Sequence, residues 1–419
     1  MTGRGGNVRR ARGLVVWFVN QYAGSPVHGM EFRHYELGRA LVRGGHTVVV
    51  VSGSWSHLFT RPPETRSTYT LERVDGLTYC WVRVPRYRNA QSLGRVINML
   101  AFAARLYRLP TRRLPRPDAV VVSSPSPFPI LPAERWARRT GARLVFEVRD
   151  LWPLTLVDLG HLPDRHPLVL LVGWFERHAY RVADAVVSVL PAAGAYLEAR
   201  GVPPSRIAIV PNGISPEAIS ATDPDVRSSA VTPADAGSPF VVGFVGTLGE
   251  GNALDDLIGA ARLLAAENVE FVIVGQGSAE SRLRLLAAGL PRVSFARAVA
   301  KASVPATIAG FDACYVGYHR SPLYRFGISP NKVFDYMAAG RPVLLASDAP
   351  CDPVTAAGAG LVVPPDDPAA LAAAILDLRR SGPVERGRLG ANGRRYVERE
   401  HSYDRLAERY LAVLEGGAA

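Results

Sequence analysis

The segment Gly13-Leu-Val-Val-Trp-Phe-Val-Asn20 is a continuous apolar run with the length of one strand. A glycine-containing loop, Gly24 to Gly29, follows it, and a helical pattern runs from Met30 to Arg43. The run Thr47-Val-Val-Val-Val-Ser52 then has the pattern of a second buried strand. Because Val-rich runs alternate here with helices, we expect a parallel sheet that is covered on both faces.

The same alternation continues along the chain and begins again at Phe240-Val-Val-Gly-Phe-Val-Gly246. Between the two series, Pro211-Asn-Gly213 is a strong turn signal. We therefore expect an α/β protein with two Rossmann-like, doubly wound parallel-sheet domains that face each other across a cleft. The predicted domains are 1–210 and 211–402, and a last segment, 403–419, contains a helix that packs back toward the first domain.

The composition is that of an ordinary globular protein, with 419 residues of which 48% are hydrophobic and 21% charged. No apolar run approaches the roughly 18 residues of a membrane-spanning helix, and no apolar signal segment follows the basic start. Cys80, Cys314 and Cys351 are odd in number and scattered, which fits neither a disulfide framework nor a zinc cluster. We therefore expect a cytoplasmic protein, with any membrane contact at the inner face.

The net charge of +12 is unevenly distributed. Residues 1–210 contain 29 Arg and 14 acidic residues, whereas residues 211–419 contain 20 basic and 23 acidic residues. Nine Arg and no acidic residue lie from Arg83 to Arg116, around the apolar helical pattern Ile97 to Tyr107. This arrangement predicts peripheral contact with an anionic membrane or, with equal weight, a core helix with Arg at its rim.

The most informative stretch is Ser321-Pro-Leu-Tyr-Arg-Phe-Gly-Ile-Ser-Pro-Asn-Lys-Val-Phe-Asp-Tyr-Met-Ala-Ala-Gly340. Ser329 is a good N-cap residue and Pro330 suits the first helical position, so a helix start with a site for an anion, typically phosphate, is predicted. Lys332, one of two lysines in the chain, would lie in the first turn, where a cation is unfavourable unless an anion is bound. The alternative is a surface pair between Lys332 and Asp335.

The segment Gly327 to Val343, which extends this stretch by three residues, resembles the donor-binding signature of family-4 retaining glycosyltransferases with the GT-B fold. Within that family it is most similar to the WbuB-like branch. The other segments that agree in order and spacing are Asn20-Gln-Tyr-Ala-Gly-Ser-Pro26 with Gly29 to Tyr35, Phe146-Glu-Val-Arg-Asp-Leu-Trp-Pro153, and Val210-Pro-Asn-Gly-Ile214. The resemblance extends over nearly the whole chain and implies a nucleotide-sugar donor.

The resemblance implies roles for the matched residues. The acidic residue of the motif, Asp335, would accept hydrogen bonds from the nucleotide ribose, and Lys332 would lie near the donor diphosphate. Glu31, Arg33 and His34 would contact the acceptor. The remaining donor-binding residues are Gly24, Gly29, Gly327, Ile328 and Ser329 around the diphosphate, with Gly275, Gly277 and Arg297 beside the nucleobase.

Two departures from the family pattern concern charge. Gly327 stands where many members have the first of two glutamates, and the loop Gly246 to Asn252 lacks the usual Arg and Lys. Arg320 and Arg325, together with Lys332, are the expected substitutes at the diphosphate.

Arg149-Asp150 stands where many relatives have His-Asp, and these two are the candidate catalytic residues. Retention without a protein nucleophile implies front-face attack, in which a donor phosphate oxygen takes the proton of the acceptor. Asp150 would hold the acceptor or orient Arg149, although a buried salt bridge would explain the same pair. Asp223-Pro-Asp225 matches an Asp-x-Asp metal pattern, but it lies in a polar linker, and we expect neither a metal nor another cofactor.

The expected reaction transfers a sugar, by resemblance an N-acetylamino sugar, from a UDP-sugar to a polyprenyl-diphosphate-linked saccharide or related glycolipid of cell-surface polysaccharide synthesis. The same chemistry on an antibiotic or phosphoglycolipid acceptor is an alternative, because the preference for Arg and Ala suggests a high-GC genome. A UDP-sugar epimerase of this fold is a second alternative, but the motifs offer few carboxylates for acid–base chemistry. Nucleic acid is not expected as a partner, since only Tyr87, Phe102 and Tyr107 lie among the basic residues.

Overall fold

The computed structural model describes residues 13–29, 32–88, 92–158, 160, 162–221 and 237–417. The chain divides into two compact units. The first comprises the described residues of Met1–Val189, Gly194–Val210 and Ala407–Ala419, and the second those of Leu190–Ala193 and Pro211–Leu406.

The first unit is built on an eight-stranded sheet. Its strands are β1 (Val15–Val19), β2 (Thr47–Gly53), β3 (Tyr69–Val74), β4 (Leu77–Val82), β5 (Ala119–Ser123), β6 (Arg143–Val148), β7 (Ala185–Ser188) and β8 (Ile207–Ile209). The order is β3-β4-β2-β1-β5-β6-β7-β8. β3 is antiparallel to β4, and the other neighbours are parallel. β1 is buried along its whole length, as its uninterrupted apolar sequence predicts, and pairs with β2 and β5.

Helices alternate with these strands. Those of the first unit are Arg33–Arg43, Leu93–Leu106, Ile130–Thr140, Leu154–Asp158, Pro167–Val182 and Gly194–Glu198. The helix Arg33–Arg43 follows the loop after β1 and buries Leu37 and Leu41, four residues apart on one face. The connection from β1 leads to β2 on one side, and β5 lies on the other, so β1 and β5 flank a topological switch point.

The second unit contains a six-stranded parallel sheet. Its strands are β9 (Phe240–Val245), β10 (Val269–Val274), β11 (Val293–Ala296), β12 (Ala313–Gly317), β13 (Val343–Ala346) and β14 (Gly360–Val363), in the order β11-β10-β9-β12-β13-β14. Phe244, Ile273 and Tyr315 are fully buried in its core. The chain crosses over between β11 and β12, so β9 and β12 flank the switch point of this sheet.

The helices of the second unit are Pro216–Ser220, Leu254–Leu263, Glu280–Leu286, Val304–Ala309, Asn331–Ala338, Pro353–Ala357, Pro368–Arg380 and Gly382–Tyr396. Short 3₁₀ turns occur at Glu250–Asn252, Lys301–Ser303 and Pro322–Phe326. The last helix, Tyr403–Glu415, belongs to the first unit from Ala407 onward. Within the described ranges, no helix has both the length and the hydropathy needed to cross a bilayer.

Two elements lie outside the alternation expected from the sequence. β3 and β4 form a hairpin closed by Asp75 and Gly76, whose φ angles of +47° and +86° fit a type I′ turn. The helix Gly382–Tyr396 is rich in Arg and Gly and buries Leu389, Gly390 and Gly393. Its buried face consists mostly of glycine, so a search for large apolar residues at helical spacing does not find it.

Candidate functional site

The carboxyl edge of the second sheet carries most of the predicted donor residues. The loop Gly246 to Asn252 follows β9, and residues 318–330 follow β12. Because β9 and β12 are adjacent parallel strands, both loops begin at the same edge, beside the switch point. Open α/β sheets bind their ligands at this place.

Tyr336 fixes the helix Asn331–Ala338 against β9. Its hydroxyl accepts a hydrogen bond from the Val245 N–H (2.8 Å) and donates one to the Val245 carbonyl (3.1 Å). The ring is fully buried, and burial raises the pKa of the Tyr336 phenol well above its usual range. The hydroxyl therefore stays protonated, and the helix keeps a defined position relative to the end of β9.

The start of this helix differs from the predicted one. Pro330, not Ser329, is the N-cap residue, and no side chain caps the helix. Ser329 is engaged elsewhere, because its Oγ accepts from the Asn212 N–H (2.8 Å) and its carbonyl accepts from Asn212 Nδ2 (2.7 Å). The N–H groups of Asn331 and Lys332 have no acceptor among the described residues, so donors suited to an anion are present here.

Lys332 contacts the loop that follows β9. Its Nζ donates to Asn252 Oδ1 and lies 4.9 Å from the centre of the Phe244 ring. Burial lowers the pKa of the Lys332 amine to about 8. An anion next to a desolvated amine favours its charged form, so a diphosphate bound here would raise the pKa of Lys332 again.

Asp335 pairs with the second lysine of the chain. Both carboxylate oxygens accept from Lys301 Nζ, each at 2.7 Å. The alternative of an i,i+3 surface pair between Lys332 and Asp335 is therefore wrong, because Lys332 binds Asn252 and Asp335 binds Lys301. A carboxylate offers about four acceptor positions, which leaves Asp335 able to accept from hydroxyl groups beside Lys301.

Backbone geometry excludes a side chain at Gly327. Its φ of +83° lies in the left-handed region, and a Cβ would come within 2.5 Å of Pro191 Cγ. Ile328 places its side chain in the core, where 5% of the residue is exposed, so its backbone is the part that can face a ligand. The family's first glutamate is therefore absent at a position where the local backbone of this chain leaves no room for a side chain.

Gly275 and Gly277 allow two backbone segments to approach closely. A Cβ on Gly275 would lie 1.9 Å from the Gly246 carbonyl oxygen, and one on Gly277 would lie 2.2 Å from that of Leu248. The Leu248 N–H also donates to the Gln276 carbonyl (3.0 Å). Packing thus requires both glycines, and their contact with a nucleobase stays a prediction.

The three predicted donor arginines are exposed. Arg297 directly follows β11. The Arg320 N–H donates to Asp366 Oδ2 (2.8 Å), and the Arg325 guanidinium lies 4.5 Å from the centre of the Phe326 ring. These contacts position the segment after β12 while its two arginines stay accessible to a ligand.

In the first unit, Gly24 and Gly29 lie in the loop after β1. The Gly24 carbonyl accepts from the Tyr79 hydroxyl (2.7 Å). Gly29 has a φ of +116°, and a Cβ there would lie 2.7 Å from the Thr60 nitrogen. A glycine is therefore required where this loop packs against the segment around Thr60, which follows β2. Glu31 lies outside the described residues, so its predicted acceptor contact stays a prediction.

Arg33 and His34 form a buried ionic cluster with Glu147. Arg33 Nε donates to Glu147 Oε1 (2.9 Å), and His34 Nε2 donates to Glu147 Oε2 (2.8 Å). Arg33 is 3% exposed, and His34 and Glu147 are fully buried. The polar atoms of Arg33 and His34 thus bind a carboxylate in the interior of the unit, and their predicted acceptor contact stays a prediction.

The charges of this cluster follow from its contacts. Burial, the largest single influence, would raise the pKa of Glu147, but Arg33, His34 and Arg149 together outweigh it and hold that pKa well below its usual range. Burial lowers the pKa of His34, and the neutral ring accepts from Asn20 Nδ2 at Nδ1 (3.1 Å). The Tyr410 hydroxyl also donates to Glu147 (3.2 Å), so the cluster attaches the last helix to β6.

Arg149 and Asp150 follow β6 at the carboxyl edge of the first sheet. Their N–H groups both donate to Ser124 Oγ, at 2.8 and 3.2 Å. The preceding Ser123 donates to Glu147 Oε2 (2.8 Å), so the end of β5 connects the buried cluster to the candidate catalytic pair. Asp150 is exposed and Arg149 is partly buried, which makes the Asp150 carboxylate the group able to contact a ligand.

Metal-ligating side chains are not grouped in the described parts of the chain: no three His, Cys, Asp or Glu there could hold one ion. Asp223 and Asp225 lie outside those parts. Cys80 and Cys314 are buried and Cys351 is exposed, and none of the three forms a disulfide bond.

Three residues of these sites are missing from the predicted set: Asn252, Lys301 and Glu147. Asn252 contacts a side chain 80 residues away, and no local pattern marks it. Lys301 could have been found because lysine is rare in this chain. Glu147 could have been found because it is the one acidic residue in the otherwise apolar centre of β6.

Two family models match the chain. Residues 28–213 match the model described as Glycosyl transferase 4-like domain, and residues 239–381 match Glycosyl transferases group 1. The chain is a GT-B glycosyltransferase of the family 4 type.

Two known proteins are similar to this glycosyltransferase at 24% identity. One is the putative colanic acid biosynthesis glycosyl transferase WcaI of Escherichia coli K12, over 75% of this chain and 78% of the relative. The other is the probable glycosyltransferase WbjE of Pseudomonas aeruginosa, over 74% of this chain and 78% of the relative.

Solved structures share the fold of this glycosyltransferase over 96% of its length. Sucrose-phosphate synthase from Thermosynechococcus elongatus has a TM-score of 0.72 at 18% identity, with 98% of that chain covered. HepE from Anabaena, in complex with UDP and glucose, has a TM-score of 0.65 at 16% identity, with 99% covered.

Proposed function

We propose that this glycosyltransferase moves a sugar from a UDP-sugar to a polyprenyl-diphosphate-linked saccharide or related glycolipid, with retention of configuration. The sugar is an N-acetylamino sugar, as in the WbuB-like branch that the sequence resembles. The observation that carries the proposal is the buried amine of Lys332 beside unoccupied N–H donors at the start of a helix. In this proposal the second unit binds the nucleotide sugar and the first binds the acceptor.

The chemistry at the start of the helix Asn331–Ala338 suits a nucleoside diphosphate. Lys332 and the first N–H groups of the helix can donate to phosphate oxygens, and the helix dipole favours negative charge there. Asp335, one turn further along, can accept from the ribose hydroxyls. HepE, a fold relative that binds UDP in its crystals, supports UDP as the nucleotide.

Transfer breaks the bond between the sugar and the diphosphate, which leaves negative charge on the diphosphate. Lys332 stabilises that charge with the exposed Arg320 and Arg325, and the reaction needs no metal ion. The acceptor hydroxyl attacks from the face that the diphosphate leaves, and a diphosphate oxygen takes its proton. Asp150 orients the acceptor hydroxyl, while Ser124 fixes the backbone on which Asp150 is carried.

Exposed apolar side chains beside basic residues support peripheral contact with an anionic membrane through residues 83–116. The helices Leu93–Leu106 and Pro167–Val182 share a hydrophobic cluster that contains Met99, Phe128 and Val172. Their exposed large side chains are Leu93, Ile97, Leu100, Leu170, Leu171 and Trp174. The helix pair therefore has one face in the core and an apolar face outside, next to many arginines, as interfacial helices do.

Incubating the purified protein with UDP-sugars and extracted lipid acceptors should release UDP, also in the presence of a metal chelator. Asp150→Asn should lower kcat by about 100-fold or more, the effect of losing a group that orients a reactant. The matched control Asp164→Asn, an exposed aspartate of the same unit, should leave kcat unchanged. The anomeric configuration of the product, read by NMR, tests retention.

No UDP release with any donor would contradict the proposal. Release only with an antibiotic or phosphoglycolipid acceptor would move the enzyme to secondary metabolism, with the same chemistry. Isomerisation of a UDP-sugar without any acceptor would favour an epimerase.

A further inference from the structure

An open cavity of about 770 Å³ lies within the first unit, apart from the residues assigned above to donor binding and catalysis. It is formed by segments that follow β2 and β4, which are adjacent parallel strands, so it opens at the carboxyl edge of the sheet. Its charged and aromatic lining residues are Trp55, Glu64, Arg66, Arg83, Arg86 and Arg105.

The cavity has an excess of positive charge, with four arginines and one glutamate among its lining residues. Within the described chain, none of the four arginines forms a salt bridge with a carboxylate. One terminal nitrogen of Arg105 is buried and has no hydrogen-bond partner in the described structure. Arg66, Arg83 and Arg86 are exposed, so an oxygen-rich anion that accepts their N–H groups would be stabilised in the cavity.

Trp55 forms part of the cavity wall. The Arg86 guanidinium lies 4.9 Å from the centre of the Trp55 ring, and the Trp55 indole N–H donates to the Tyr87 carbonyl (3.1 Å). These contacts fix the Trp55 indole and the Arg86 guanidinium in the wall of the cavity.

We propose that this cavity binds the diphosphate group of the lipid-linked acceptor. The inference rests on the proposed function and extends it by naming the acceptor's anion site. The arginines bind phosphate oxygens through paired N–H donors. Arg105 is carried by the helix Leu93–Leu106, whose exposed face includes Ile97 and Leu100, so the isoprenoid can lie along that helix while its diphosphate occupies the cavity.

Calorimetric titration with farnesyl diphosphate in detergent tests this inference directly, with farnesol as the probe that lacks the anion. The variant Arg83→Gln/Arg86→Gln should bind farnesyl diphosphate at least tenfold more weakly, since one hydrogen bond to a charged group is worth about tenfold or more. The control Arg135→Gln/Arg139→Gln removes two exposed arginines from another helix of the same unit and should bind normally. Circular dichroism of both variants confirms folding.

The inference is supported if Arg83→Gln/Arg86→Gln loses affinity for farnesyl diphosphate, Arg135→Gln/Arg139→Gln does not, and farnesol binds weakly. Equal affinities for farnesyl diphosphate in both variants would overturn it, as would farnesol binding as tightly as the diphosphate. Displacement of farnesyl diphosphate by UDP would assign the cavity to the donor and would also overturn it. If the binding pattern holds but no donor yields UDP, the proposed function fails while the anion site stands.

Discussion

Replacing Glu147 by Gln should destabilise the first unit strongly. The carboxylate is fully buried, and both of its oxygens are used by Arg33 and His34, at 2.9 and 2.8 Å. A glutamine of nearly the same size removes the negative charge and points an N–H group at one of these donors. Breaking a buried ion pair in this way costs about 3–5 kcal/mol. For a unit of this size the midpoint of thermal unfolding should fall by about 6–20 °C.

Scanning calorimetry measures this effect, because it can separate the unfolding transitions of the two units. Glu198→Gln is the matched control, since Glu198 is an exposed glutamate of the same unit. A midpoint for Glu147→Gln within about 2 °C of this control would refute the reasoning, because it would mean that the buried charge contributes less than about 1 kcal/mol.

Three further predictions follow from the other contacts. The pKa of His34 is lowered in the fold, so the stability that this group supplies is present above its unfolded pKa of about 6.5 and is lost as the pH falls below that value. The thermal unfolding midpoint of the first unit should therefore drop between pH 7 and 5.5. A constant midpoint over this range would count against a neutral His34. Gly327→Ala should lower the free energy of unfolding by about 2 kcal/mol more than Gly289→Ala. Gly289 is the control because it has a similar φ but no atom within 4 Å of the added Cβ. Equal losses of stability in urea unfolding would disprove the clash. Asp335→Asn should weaken UDP binding about tenfold while inorganic diphosphate binds as before, and a parallel loss of both would argue against contact with the ribose.

Much of the fold is visible in the sequence because its strands are buried on both faces. The runs at β1, β2 and β9 contain no alternation with polar residues, and each is a strand in the structure. The hairpin β3–β4 could also have been found, since Asp75-Gly76 between two strand-like runs is a strong type I′ signal. Its outward-facing polar residues do not resemble the continuous runs that mark the parallel strands.

The candidate sites are less predictable, because their contacts join distant parts of the chain. Arg33 and His34 lie in a polar motif that resembles an exposed site, and the carboxylate that buries them comes 113 residues after His34. Ser329 has the right type and place for an N-cap, but Asn212, 117 residues earlier, occupies its hydroxyl. Local patterns mark such residues as polar and important, whereas their partners depend on tertiary packing.

Titration of UDP against pH, in the wild type and in Lys332→Met, tests the central role of Lys332. Burial lowers the pKa of this amine to about 8, and its protonated form is the one that attracts a diphosphate. Above pH 8 the affinity of the wild type should therefore fall by up to about tenfold per pH unit, since each unit removes that fraction of the charged form. Lys332→Met should bind at least tenfold more weakly at pH 7 and show no such decline. Equal affinity of the two proteins for UDP, with the same pH profile, would contradict the account.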